Sequence, residues 1–479
     1  MVLLDLKLKW LSTKASRHWF ASRMIWLGCV LACASSAQAA QGVAIVGKGD
    51  WLFVRHELVL ESLDQQAQAS FRLIEKLNRM LERRGVALAL TIVPSKIETY
   101  AEHLPDDFKI SAYMKGFNDS AQKSLRTNGV AVIGMKERLR EAALKDLDNP
   151  LFFRLDTHWT PTGALVAAKT VQAGIAENAI LKKALDAVPV AEYKLTWVNK
   201  IFRQTNIRDI TNFLPTGTPA YPPEENRRFV VTRVKPADTS LLGAAPTDEV
   251  ALIGSSFSGD WTSFPDAMRF ALQRPVLNFS INADAGPWAV VRGYLADDAF
   301  QAGKPKLIIW ELPERTIGLG PNYQFRLPRY KMSSADWLLQ VAALVEPDCQ
   351  ALPVNVTLGV GGRSTALRTQ DKVATSVGDF VDVEFDKPVD VSGYLSALLL
   401  SDGSKQIDAE VFSNATLVRK FKLEVPGDER VNALKTPMSV GAGSVTRLRL
   451  YPGLTHAFSL KTLKVCRYQE NWLKDVVEF

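Results

Sequence analysis

Val86–Val93 (VALALTIV) is an unbroken apolar run stopped by Pro94. A strand without polar alternation is buried on both faces, which is the situation of a parallel sheet covered by helices above and below. The chain up to residue 347 keeps to that plan. Val43–Leu58 reads as a strand and turn around Gly47–Asp50, and Leu63–Arg83 as a helix with Phe71, Ile74, Leu77 and Leu81 on one face. Phe117–Arg126, Lys136–Leu147 and Ala164–Glu177 read as helices and Val130–Ile133 as a strand. After an interruption the pattern resumes with strands at Val250–Ile253, Val276–Phe279 and Lys306–Trp310, and a helix at Ser263–Gln273. The expected fold class is α/β with a parallel sheet. Trp197–Lys235 interrupts it, rich in Asn, Arg, Pro and Thr, and reads as a long lid or binding loop. Its Arg203, Arg208, Arg227 and Arg228 either meet an acidic polymer or are solvated.

From about Asp348 helical periodicity disappears. Short runs recur at Val354–Thr357, Phe380–Phe385, Tyr394–Ser401, Ile407–Phe412, Leu417–Val425, Val445–Tyr451 and Phe458–Val465, punctuated by Gly, Asp, Ser and Pro. That spacing is the mark of an all-β sandwich or jelly roll. The expected organisation is residues 1–39, 40–347 and 348–479.

Residues 1–39 read as a secretory signal peptide: a basic start, an apolar core at Met24–Ala34, and Ala37-Gln38-Ala39 before a cleavage point at Ala40. The core is shorter than the roughly 20 residues a membrane-spanning helix needs. Lipid attachment at Cys33, after Val30-Leu31-Ala32, is the alternative. The segment's five cations against Asp5 hold +4 of the total +7, leaving the mature chain at +3. That excess suits an acidic polymer, and no nucleic-acid motif accompanies it. No later run is long and apolar enough to span a membrane. With Cys29 and Cys33 removed, Cys349 and Cys466 remain, and export to an oxidising compartment favours a disulfide between them over two buried thiols.

Chemistry concentrates in two stretches. In Leu151–Gly163 (LFFRLDTHWTPTG), Asp156 and His158 stand two residues apart, ahead of Thr160 as N-cap and Pro161 as first helical residue. A carboxylate there can hold one imidazole nitrogen and leave the other free as a base. In Val250–Gly259 (VALIGSSFSG) a strand ends where a small hydroxyl begins. Brought together, Asp156, His158 and Ser256 would form a relay for acyl transfer. Taken separately, Asp-x-His and a serine at a strand end also suit a loop or a capping residue. Among His18, His56, His103, His158 and His456, only His158 has an orienting carboxylate so placed. Gly286, ahead of Pro287, is a candidate oxyanion donor or simply a turn; Glu311 and Arg315 are candidates to pair and brace the site. Lys96, just past the Val86–Val93 strand, is either a functional cation, a candidate polysaccharide contact, or a solvated loop lysine. In the β region Arg419, Lys420, Lys422, Arg447 and Arg449 offer cations for sugar carboxylates, although alternating Arg is first of all a solvent face.

Asp156-Thr157-His158-Trp159 followed by Gly254-Ser255-Ser256-Phe257 resembles the SGNH-hydrolase-like polysaccharide O-acetyltransferases of the AlgX/AlgJ type. Further matching pieces are Gly47–Phe53 (GKGDWLF), Val93-Pro94-Ser95-Lys96 and Trp310–Arg315 (WELPER). The resemblance covers the mature chain and implies an SGNH-like sheet domain followed by a carbohydrate-binding-module-like β-sandwich. Ser255 stands where many SGNH proteins carry Asp, which leaves two adjacent serines to choose between; the family's G-x-S pattern points to Ser256. The resemblance further implies acetyl transfer to an exopolysaccharide, the mannuronate of alginate, in the periplasm beside other acetylation and export proteins. No cofactor or metal is expected. An acetyl esterase with the same relay and a non-catalytic polymer-binding scaffold are the rival readings.

Overall fold

The computed structural model describes residues 42–477, apart from 206, 235–248, 304, 347–349, 361–362, 367–371, 374–378, 390–392, 402–405, 425–430, 438–443, 452–457 and 468–469. The chain begins with a hairpin of β1 (Ala44–Val46) and β2 (Leu52–Val54), then α1 (Asp64–Arg83), β3 (Ala87–Val93), the short α2 (Lys96–Thr99), α3 (Ala112–Thr127) and β4 (Ala131–Gly134). Next come α4 (Lys136–Lys145), α5 (Pro161–Glu177) and α6 (Ala179–Asp186), and the strands β5 (Tyr193–Trp197), β6 (Phe202–Gln204), β7 (Glu224–Asn226) and β8 (Phe229–Arg233). The α/β part closes with β9 (Val250–Gly254), α7 (Phe264–Leu272), β10 (Leu277–Ser280), α8 (Pro287–Ala296), α9 (Asp298–Gln301), β11 (Leu307–Pro313), α10 (Glu314–Ile317) and α11 (Ser334–Val345).

Five strands form one sheet in the order β10-β9-β11-β3-β4, and every neighbouring pair is parallel. Successive side chains of a strand face opposite sides, and here both sides are apolar. Leu88, Leu90 and Ile92 of β3 join Ala251 and Ile253 of β9 in one core with α1, α3, α8 and α11. Ala87, Ala89 and Val93 join Val250 and Leu252 in a second core with α5 and α7. That accounts for the unbroken apolar run of β3, buried at every residue. The same alternation, carried past the end of β9, sends residue 255 toward the α8 side and residue 256 toward the α5 side.

The stretch from 197 to 235 is more ordered than expected of a loop: β5 pairs with β8, and β6 with β7 nested inside. The alternation of YKLTW and FVVTR is a half-buried strand pattern masked by the polar residues between. Its cations serve this small unit itself. Arg203 pairs with Glu225, Arg228 donates to Gln204, Arg208 donates to the carbonyls of Tyr221 and Pro222, and Arg227 lies over the Trp197 ring.

From Gln350 onward the strands lie in two antiparallel sheets. Val381, Val383, Ile407, Ala409, Val411, Leu448 and Leu450 of one sheet pack with Val465 of the other, giving this region its own core. The chain then returns to the α/β part. Trp472 is buried in the α1 and α11 core and donates to Glu346 at 2.8 Å, while Arg83 reaches Glu470 and Lys76 donates to the Lys474 carbonyl. Residues 1–41, with the expected signal peptide and Cys33, lie outside the described residues, as does Cys349. Cys466 is buried. Among the described residues no helix is long and apolar enough to cross a membrane.

Candidate active site

The segment ahead of α5 folds back on itself: Phe152 bridges Trp159, the Phe153 N–H reaches the His158 carbonyl at 3.0 Å, and the Thr160 N–H reaches the Leu151 carbonyl at 2.8 Å. Thr160 caps α5 by accepting from the Gly163 N–H at 3.2 Å, with Pro161 in the first position, as the sequence suggested. This tight loop presents Asp156 and His158 at the carboxyl edge of the sheet. Asp156 Oδ1 lies 2.6 Å from His158 Nδ1 and also accepts the His158 N–H at 3.0 Å. The other imidazole nitrogen, Nε2, lies 2.7 Å from Ser256 Oγ. An ionised Asp156 only accepts, so Nδ1 carries the proton and Nε2 is the acceptor facing the serine hydroxyl. Asp156 and His158 are buried, while Ser256 is half-buried.

The neighbouring serine has a different partner. Ser255 Oγ donates to the buried Glu311 at 2.9 Å and accepts the Phe257 N–H at 3.2 Å. Glu311 also accepts the Ser255 N–H at 2.8 Å and the Ser258 hydroxyl at 2.8 Å. Burial pushes the Glu311 carboxyl up from its ordinary range, against the pull of those hydroxyl and N–H donors. Of the two adjacent serines, Ser256 is thus the one presented to His158.

A second carboxylate, not singled out in the sequence, comes from the 197–235 unit. Asp209 donates its N–H to Asp156 Oδ2 at 2.7 Å, and its side chain accepts the Thr157 N–H at 2.8 Å and the Thr157 hydroxyl at 2.6 Å. Burial alone would raise the Asp156 pKa; the hydrogen bond and charge of His158, with the N–H groups of Asp209 and His158, outweigh it and hold Asp156 below its ordinary value. Asp209 is pushed up, first by burial and then by the Asp156 charge. Glu224 of the same unit accepts the N–H groups of Arg154 and Leu155, at 2.5 and 3.0 Å. The stretch carrying Asp209 and Glu224 has no periodicity to mark it, and only the fold brings it to the site.

Asp156, His158 and Asp209 offer ligand atoms within 4.8 Å of one another. Those atoms are already bonded to each other, to Thr157 and to Ser256, so the trio reads as a braced relay rather than a ligand set.

Other expected site residues are placed differently. Lys96 is 1% exposed, and its ammonium donates to the carbonyls of Leu52, Arg154 and Asp156 at 2.7, 2.9 and 2.9 Å. It is no polymer contact: its three donors are used inside, tying β2 to the loop of Asp156. Burial lowers its pKa to about 8, against the charges of Glu57, Glu224, Asp156 and Asp209. Arg315 does not pair with Glu311; its guanidinium lies 3.8 Å from the buried Glu57 and 5.9 Å from the centre of the Phe257 ring. Gly286 lines a small void with Ser255, Glu311 and Pro287, away from the cleft lined by Asp156 and His158. Its φ of 81° and the Phe325 ring, 2.5 Å from where a Cβ would stand, explain the glycine as a turn requirement. In the β region Arg419 is 2.7 Å from Asp336 of α11, Lys420 is 2.6 Å from Glu410, and Arg447 lies over the Phe412 ring 3.8 Å from Asp382. These side chains hold structural partners, Arg419 across to the α/β part, which an alternating surface pattern does not disclose.

A parallel sheet that delivers a serine at one strand end to a His–Asp pair defines an SGNH-hydrolase-like domain, here followed by a β domain. Residues 44–314 match the family described as SGNH hydrolase-like domain, acetyltransferase AlgX. The probable alginate O-acetylase AlgJ of Pseudomonas aeruginosa is 29% identical over 315 residues, 62% of this chain and 75% of the relative. The alginate biosynthesis protein AlgX of Pseudomonas putida is 24% identical over 316 residues, 64% of this chain and 61% of the relative. Of solved structures, the O-acetyltransferase domain of P. putida AlgJ superposes with a TM-score of 0.50 at 26% identity, covering 58% of this chain and 93% of that one. P. aeruginosa AlgX superposes at 0.55 and 16% identity, covering 88% and 94%, so the likeness in fold extends into the β region. The chain belongs to the AlgX family of SGNH hydrolase-like acetyltransferases.

Proposed function

We propose that this protein transfers acetyl groups through a Ser256 ester to hydroxyls of an exopolysaccharide, the mannuronate units of an alginate-like polymer. The observation that carries the reading is the continuous relay from Asp156 Oδ1 through His158 to Ser256 Oγ, with links of 2.6 and 2.7 Å. In the first step His158 Nε2 takes the hydroxyl proton as Ser256 Oγ attacks the donor's acetyl carbonyl. Collapse of the tetrahedral intermediate breaks the bond to the leaving group, which receives that proton. In the second step His158 deprotonates a sugar hydroxyl, whose oxygen attacks the acyl carbon; the ester bond to Ser256 breaks and Ser256 Oγ takes the proton back from His158 Nε2. The N–H groups of Phe257, Ser258 and Gly259 are already engaged, which leaves that of Ser256 as the oxyanion donor we assign. Asp156 keeps the imidazole in the productive tautomer, and Asp209 keeps Asp156 in place.

The assignment extends to the chain's setting. We assign residues 1–39 as a cleaved signal peptide, residues 40–347 as the catalytic domain and 348–479 as a polysaccharide-binding domain working in the periplasm, with a Cys349–Cys466 disulfide. Transfer instead of hydrolysis requires the acceptor to outcompete water, and a second domain holding the polymer raises its effective concentration. Acceptor polymer and other acetylation and export proteins are the partners we assign. Incubating mature protein with a chromogenic acetyl ester, with and without unacetylated polymannuronate, tests the reading. Ester-linked acetyl on the polymer is expected; free acetate alone would make the protein an esterase, and no turnover would make it a scaffold.

A further inference from the structure

Glu311 of β11 is 1% exposed, and its carboxylate gathers three donors from the turn that carries the nucleophile. Oε2 accepts the Ser255 N–H and the Ser258 hydroxyl, each at 2.8 Å, and Oε1 accepts the Ser255 hydroxyl at 2.9 Å. Ser255 and Ser258 stand on either side of Ser256. The carboxylate sits directly against the backbone of this turn. A Cβ on Gly254 would stand 2.4 Å from Glu311 Oε2 and 2.4 Å from Ser258 Oγ, so glycine is what admits it there. The donor set selects the ionised form. A carboxylate only accepts, at about four lone-pair sites, whereas a glutamine amide has one accepting oxygen and turns N–H groups toward the rest. Charge-assisted bonds of this kind are about twice as strong as neutral ones, and the positive charge of Arg315 adds to their pull.

The clamp reaches the chemistry through one peptide unit. The Ser255 carbonyl, which begins the Ser255–Ser256 peptide, accepts the Ser258 N–H at 3.0 Å. Both residues of that bond are held on Glu311, which fixes the plane of the peptide whose N–H is the assigned oxyanion donor. The same plane sets the direction in which the Ser256 side chain leaves the backbone toward His158 Nε2, 2.7 Å from Oγ. Asn278 steadies the far side, donating to the Ser258 carbonyl at 2.9 Å.

We propose that Glu311 is a positioning residue of the acylation step: held against Ser255 and Ser258, its carboxylate aims the Ser256 hydroxyl and the Ser256 N–H at the same carbonyl group. The proposal rests on the acetyl-transfer reading and adds to it a group outside the relay. Glu311 and Ser255 line a small void against Pro287 and Val290 of α8, on the side of the sheet opposite to the one Ser256 faces. Its influence on the reaction therefore travels through the backbone of the turn.

Covalent labelling of the mature protein with a fluorophosphonate, followed by mass spectrometry of the Ser256 peptide, tests this. Ser256 Oγ attacks phosphorus, fluoride leaves and His158 takes the proton, so the reagent reads both the aim of the nucleophile and the oxyanion donor. Its first-order constant at saturation does not depend on how many molecules are folded, which separates positioning from stability. Glu311→Gln keeps the volume and one acceptor, and its labelling constant should fall by about tenfold, that of Glu311→Ala by about a hundredfold. The half-saturating reagent concentration should stay within about twofold in both, because the group acts on the transition state. Ser258→Ala removes one bond and keeps the carboxylate, so it reads the same role if a Glu311 variant does not fold; its constant should fall by about threefold or more. Fewer labelled molecules at an unchanged constant would make Glu311 a stability residue and overturn the proposal, as would an unchanged constant in Ser258→Ala. Wild-type protein left unlabelled at Ser256 would sink the acetyl-transfer reading and the proposal together, so the two failures are told apart.

Discussion

Replacing Lys96 by methionine removes one ammonium from the base of the site and keeps most of the side-chain volume. Three buried carbonyls, those of Leu52, Arg154 and Asp156, then lose their donor. Hydrogen bonds to a charged group contribute about 1.5–3 kcal/mol each, roughly 5–9 kcal/mol for the set. Against this stands the cost of burying the cation: a pKa lowered from 10.5 to about 8 corresponds to about 3 kcal/mol. The expected net loss is therefore roughly 2–6 kcal/mol, a fall of several degrees in Tm. The activity effect follows from position, since the Asp156 carbonyl is one of the three anchors; displacing a relay member by a fraction of an ångström predicts a loss of about 10–100-fold in kcat.

The pH dependence of Lys96 has an unusual sign. Its folded pKa lies below the unfolded one, so between pH 8 and 10.5 the unfolded chain holds the extra proton. Stability from this group therefore rises with pH across that window. The neutral amine, however, has two donors for three carbonyls, so activity should fall over the same window. Wild type should lose hydrolysis of a chromogenic acetyl ester as pH passes about 8 while this contribution to Tm increases, and Lys96→Met should lose both trends. Wild-type activity with an unchanged pH profile in Lys96→Met would refute the reasoning.

Asp209→Ala leaves the buried Thr157 N–H and hydroxyl without their acceptor and should cost about 1–3 kcal/mol in denaturant unfolding, with a drop in kcat larger than any change in KM. Ser255→Ala removes one hydroxyl from Glu311 but leaves the Ser255 N–H and Ser258 bonds; thermal unfolding should register a loss of about 1 kcal/mol, and ester hydrolysis should stay above that of Ser256→Ala. Trp472→Ala opens a cavity between α1 and α11 and should cost about 3–5 kcal/mol. Cutting the chain at about residue 350 should therefore destabilise the α/β part as well, and an unchanged Tm would contradict the packing described.

Local chemistry made the centre of the site legible. Asp-x-His ahead of a Thr-Pro helix start sets two of its side chains by short-range geometry, and the parity of a buried strand indicates that Ser255 and Ser256 face opposite sides. The long-range partners were not legible. Asp209 and Glu224 lie in a polar stretch whose contacts arise only when two nested hairpins fold over the loop of Asp156. Lys96 looks like a surface lysine because sequence records its charge and not the three carbonyls that enclose it. The same limit applies to Arg419, Lys420 and Arg447, whose partners Asp336, Glu410 and Asp382 lie far off in sequence or across a strand pair. The two-part architecture followed from the change in periodicity near residue 348, but the return of Trp472 to α1 rests on a tail with no periodic signal.

The central claim is that Ser256 carries the acetyl group, and peptide-mapped mass spectrometry after brief exposure to an activated acetyl ester tests it directly. A single acetyl adduct on the peptide containing Ser256 is predicted. It should be absent in Ser256→Ala and nearly absent in His158→Ala, with the double variant little worse than either, because members of such a relay act as a unit. An adduct on Ser255 or Ser258, or persistent acetylation and turnover in Ser256→Ala, would contradict the account.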